Sequence, residues 1–108
     1  MEPNVITLQQ AQTWAQNWNV NKLKFFETRD LKAFLISEQV LQAVTAPQQV
    51  VDIRTYLGLD EQMNPHMMIV GVDADGNDLI DYQNGLYIYN FTRPCPTYCP
   101  KSAPYING

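Results

Sequence analysis

From Thr7 onward the apolar positions Leu8, Ala11, Trp14 or Ala15, and Trp18 recur three and four residues apart, the spacing of one face of a helix. Thr7 with Gln10 three residues later has the form of a capping box, which predicts a helix starting at Leu8. Asn19-Val-Asn21 interrupts the good helix formers, so the element is expected to end near Asn19. Trp14 and Trp18, four apart, are expected to stack along that face as core, the rival reading being an exposed aromatic docking platform. Between Val20 and Lys32 the apolar Leu23, Phe25 and Phe26 sit among Lys22, Lys24, Glu27, Arg29 and Asp30. That pattern suits either a short amphipathic helix or an irregular bridge with its aromatics inserted in the core.

Lys32-Ala-Phe-Leu-Ile36 reads as a short strand. Ser37 is a helix N-cap, with Glu38 in the first turn to match the helix dipole. Val40, Leu41 and Val44 continue at helical spacing, and Pro47 ends the element. From Val50 to Leu59, Val51, Ile53, Thr55 and Leu57 alternate with Asp52, Arg54 and Tyr56, the pattern of a strand. The turn residues 60–65 lead to a second strand, His66 to Asp73, paired with the first as an antiparallel hairpin. Ala74-Asp-Gly-Asn77 is the strongest hairpin turn in the chain, a third strand is expected over Asp78 to Asp81, and Leu86 to Phe91 reads as the last. The predicted class is α+β: an antiparallel sheet of three to four strands with two helices on one face. Residues 1–92 form one domain. Residues 93–108 hold four of the seven prolines and are expected to be an extended tail, since proline cannot donate to a sheet ladder.

Charge changes this picture by dividing the chain. The 108 residues carry a net charge of -4. The first 51 residues are neutral, residues 52–92 carry -6 with Arg54 as their one base, and the tail carries +2 from Arg93 and Lys101. A net negative chain without clustered bases disfavours nucleic acid as a partner. No stretch approaches the apolar length of a membrane span, so no membrane partner is expected. The first residues lack a basic start and an apolar run, so no secretory signal is read and a cytoplasmic location is expected, with leaderless export equally compatible. A basic tail lying along an acidic sheet, its own or a neighbour's, would lower the repulsion within residues 52–92. The tail is expected to be ordered by docking, anchored by Tyr98, Tyr105 and Ile106, because two screened charges bind weakly.

Candidate chemistry is sparse. Asp73, Asp75 and Asn77 alternate like the start of a calcium loop, but Asp78 and Asn84 stand where the glycine and the closing glutamate are required, so the stretch reads as an acidic hairpin turn. Cys95 and Cys99 are separated by three residues, unlike a Cys-x-x-Cys redox motif. They read as free thiols or a facultative clip, as a structural disulfide, or as a shared metal or redox site. His66 is the one histidine. It reads as a half-exposed loop residue that could form a dyad only through the fold, for instance with Cys99. No catalytic set, metal site or cofactor is expected.

Arg54-Thr-Tyr-Leu-Gly58, Val70-Gly-Val-Asp-Ala-Asp-Gly-Asn-Asp78 and Pro94-Cys-Pro-Thr-Tyr-Cys99 together resemble a pattern of small bacterial α+β proteins without an assigned activity. The resemblance spans the second half of the chain and implies a bacterial, compact α+β protein, with no residue roles. The expected function is self-assembly without catalysis, giving a homo-oligomer joined at a sheet edge and through the tail. Leu86, Tyr87, Tyr89, Phe91, Arg93, Tyr98, Lys101, Tyr105 and Ile106 are the candidate contacts. The alternative is a monomeric adaptor or inhibitor that engages a basic protein through Asp73, Asp75, Asp78 and Asp81. A thiol or metal function of Cys95 and Cys99 is the third reading.

Overall fold

A computed structural model describes residues 4–90 and 92–106. The element order is β1 (Val5–Ile6), α1 (Leu8–Thr28), β2 (Ala33–Ile36), α2 (Glu38–Thr45), β3 (Asp52–Leu59), β4 (Pro65–Val72), β5 (Asp78–Leu79), a 3₁₀ turn (Tyr82–Asn84), β6 (Ile88–Tyr89) and β7 (Thr92–Cys95). The α+β class is as expected. Five strands form the main sheet in the order β1-β6-β4-β3, with β5 also pairing β4, and β2 with β7 makes a second, two-stranded sheet.

Both helix starts follow their caps: the Thr7 side chain accepts from the Gln10 N–H and the Ser37 side chain from the Val40 N–H. The end of α1 differs from expectation, because the helix runs unbroken through Asn19 to Thr28. Asparagine is weak in helices chiefly because its amide competes for nearby backbone groups. Here the Asn17 amide instead donates to the carbonyls of Leu59 and Asp60, and Asn21 donates to Asn17. The last turns are held by Phe25, which is buried and meets Trp18 and Phe26 edge-on or tilted. Past the helix end, the Arg29 N–H closes on the Phe25 carbonyl and its guanidinium donates to the Met63 carbonyl. Trp14 and Trp18 do not stack on each other. Trp14 stacks on His66, with ring centroids 4.2 Å apart, while Trp18 joins the two phenylalanines.

The hairpin of β3 and β4 pairs Asp52 with Val72 through to Leu59 with Pro65. Around it the helices lie on opposite faces, not on one. Ala11 and Trp14 of α1 pack with Met68, Val70 and Ile88, whereas Val40 and Val44 of α2 pack with Ile69 and Tyr89. The cause lies in β4, where Met67-Met-Ile-Val-Gly-Val72 is apolar at successive positions. Alternate side chains of a strand point to opposite faces, so such a run has to be covered twice. Close approach is made possible by two glycines: a Cβ on Gly58 would lie 2.9 Å from the Trp14 Cβ, and one on Gly71 would lie 2.6 Å from a Val50 methyl.

The boundary drawn before residue 93 is also displaced. Arg93, Pro94 and Cys95 belong to β7, paired with Leu35, Phe34 and Ala33 of β2. A two-stranded ribbon consists of edges alone, where a proline lacking an N–H is tolerated.

Candidate interaction site

The residues expected to make contacts divide into two groups. Tyr89 is buried because β6 lies inside the main sheet between β1 and β4. Just before that strand Leu86, which bridges Asp81, is buried and Tyr87, packed against the α2 side of the core, is half-buried. They are core and cannot serve as surface anchors. Phe91 lies outside the described residues. Tyr98, Lys101, Tyr105 and Ile106 are exposed, so none of the three expected tail anchors is buried against the domain. The Arg93 guanidinium stands 5.4 Å from the centre of the Tyr98 ring.

The longer of the two strands that end the sheet is instead β3, eight residues against two in β1. It ends the strand order, and among the described residues no strand pairs with its outer side. Its first six residues are exposed, with Ile53 and Leu57 each 38% exposed. These two share a face and flank Thr55 symmetrically, two positions on either side. An unpaired row of backbone N–H and C=O groups beside exposed branched aliphatics is a template for another strand. Nothing in the alternation of 51–59 separated an edge strand from an inner one, so the sequence reading assigned these residues to a strand and not to a site. The one legible sign was contrast, since β3 alternates where β4 is continuously apolar.

The expected acidic face is largely engaged within the fold. The Asp73 carboxylate accepts from the backbone N–H groups of Asp75 and Asn77, and these bonds hold its carboxyl below the ordinary carboxylate value. Gly76, at a φ of 83°, occupies the left-handed position this turn requires. Asp78 pairs with the Arg54 guanidinium and accepts from the Tyr56 hydroxyl, and that bond raises the Tyr56 phenol. Asp81 accepts from the Asn84 amide at 2.6 Å. Asp75 is left as the carboxylate pointing to solvent.

His66 is the second residue of β4, not a loop residue, and its Nε2 lies 2.9 Å from Oδ2 of Asp60. Burial alone would raise the Asp60 carboxyl. Hydrogen bonds from His66 and from the backbone N–H groups of Asn64 and Gln62 outweigh it, and the carboxyl lies below its ordinary value. This pair fastens the β3–β4 turn to Trp14 through the stacked histidine. Cys99 takes no part, because it is bonded to Cys95 as a disulfide with Cα atoms 4.8 Å apart. Among the described residues there are no free cysteines, no group of three or more His, Cys, Asp or Glu side chains placed to hold a metal, and no helix long and apolar enough to cross a membrane. Comparison with protein-family models, curated proteins and solved structures finds no match to the chain.

Proposed function

We infer that this is a non-enzymatic, self-associating protein whose joint is the open edge of β3. The supporting observation is the self-complementarity of that edge. A two-fold interface brings one patch against its own copy. If two β3 strands pair antiparallel about Thr55, Ile53 of one copy faces Leu57 of the other, twice, and both half-exposed aliphatics are covered. Cross-strand aliphatic pairs of this kind contribute about 0.2–1 kcal/mol each, in addition to the backbone bonds of a continuous ladder. The exposed Tyr98, Tyr105 and Ile106 add side-chain contacts to a neighbouring copy. The adaptor reading draws less support, since Asp73 and Asp78 already have partners. A disulfide persists in oxidising compartments and is rare in a reducing cytosol, so the Cys95–Cys99 bridge favours the exported location over the cytoplasmic one.

Sedimentation velocity across a range of concentrations tests the reading. The full chain should shift from monomer to dimer as concentration rises. Removing residues 100–108, a cut that spares β7, should weaken the dimer without abolishing it. A chain that stays monomeric at the highest concentration would overturn the proposal.

A further inference from the structure

α1 crosses the sheet at unequal height. At Gly58 the Trp14 side chain sits almost on the backbone, but beside it α1 presents the small side chains of Ala11, which packs on Met68, Val70 and Ile88, and Ala15, and these leave space between helix and sheet. The gap is a partly open cavity of about 210 Å³ over Met68, Val70 and Ile88. Those three floor residues and Ala11 are buried and apolar. Polar groups reach the cavity at its rim, where Asp78, Tyr56 and Gln12 line it.

We propose that this cavity is a binding site for a small neutral aromatic molecule carrying one hydrogen-bond donor, of the kind of phenol or indole. Size sets the first limit: an apolar cavity of about 150 Å³ takes up benzene, so 210 Å³ holds a ring plus a short substituent or a second fused ring. The floor favours aromatic over aliphatic matter, because the Met68 thioether can contact a ring edge. The rim selects the substituent. Asp78 accepts one bond on each carboxylate oxygen, from Arg54 and from Tyr56, and each oxygen keeps a free acceptor site. A ligand hydroxyl or N–H can use it. Arg54 already balances the carboxylate, so a cationic ligand gains little, and an anionic one brings no donor to Asp78 and loses its hydration over the apolar floor.

Amide chemical-shift titration of the full chain with phenol, benzene and benzoate tests this. Phenol should saturate at Ala11, Ala15, Met68 and Val70 with a Kd of about 1 mM or tighter. Benzene should bind there about tenfold more weakly, having no donor for the carboxylate, and benzoate should not bind. Ala15→Leu fills the gap from a helical position and should abolish the phenol shifts while leaving the far-ultraviolet circular dichroism unchanged. Shifts that never saturate, equal binding of phenol and benzoate, or phenol binding unchanged in a folded Ala15→Leu chain would overturn the proposal. The three-ligand comparison needs no variant, so the test stands even if the substituted chain fails to fold.

Discussion

β3 and β4 are eight residues each and pair residue for residue, yet six residues of β3 are exposed while six of the eight in β4 are buried. Hydrogen bonding within the pair cannot explain this, because the two strands share it. The difference comes from what lies beyond the pair. β4 has β5 and β6 on its far side and a helix over each face, whereas among the described residues no strand pairs with the outer edge of β3. The same secondary structure thus serves as scaffold in one strand and as available surface in the other, and substitutions should separate the two roles.

The largest effect is expected in β4. Ile69 is fully buried between Val40, Val44 and Tyr89, so Ile69→Ala should cost about 3 kcal/mol, read from the urea midpoint. Thr55→Ala, directly across the ladder, should change it by less than about 0.5 kcal/mol. A comparable loss at both positions would erase the distinction between the strands. Next comes the disulfide: Cys99→Ser opens a five-residue loop and should cost about 2 kcal/mol in the chain-entropy account, measured by the same denaturation. Gly71→Ala follows, at about 1–2 kcal/mol, because the new Cβ forces the Val50 side chain aside. Smallest in stability, and most informative about the edge, is Ile53→Lys combined with Leu57→Lys. Both side chains are already half in water, so folding should change by less than about 0.5 kcal/mol, while sedimentation should show the dimer lost.

Acid adds a test of the turn that joins the strands. The Asp60 carboxyl titrates lower in the folded chain than in the unfolded one. Its stabilisation is therefore complete above the unfolded carboxylate pKa and is lost as pH falls through the folded one. Asp60→Asn should flatten that part of the stability profile, measured by urea unfolding from neutral to acid pH.

Much of the fold was legible because local chemistry and tertiary structure agree: both helix caps, the β3–β4 hairpin and the Asp-Gly turn follow from their residues. The misreadings share one cause, the override of local preference by distant contacts. Asn19 and Asn21 should weaken a helix, but the Asn21 amide donates to the Asn17 side chain, whose own amide is held by the carbonyls of Leu59 and Asp60, more than forty residues away in sequence. Pro94 argued against a strand until β2 provided a ribbon with only edges. Leu86, Tyr87 and Tyr89 looked like surface anchors because alternation alone does not show that β6 and the residues leading into it lie against the core. The cavity under Ala11 and Ala15 had no sequence signal, since small residues mark a gap only when the opposing surface is known.

The claim that two copies meet at β3 is tested most directly by a cross-link at the proposed two-fold axis. In the register about Thr55, the two Thr55 Cβ atoms face each other about 5 Å apart, whereas each Asp52 lies three residues from the axis, opposite Gly58 of the other copy, and so six residues along the ladder from the other copy's Asp52. Thr55→Cys should oxidise to a covalent dimer under mild conditions, seen by intact mass without reductant, and Asp52→Cys should remain monomeric. Cross-linking of neither, or of both equally, would contradict pairing at this edge and register.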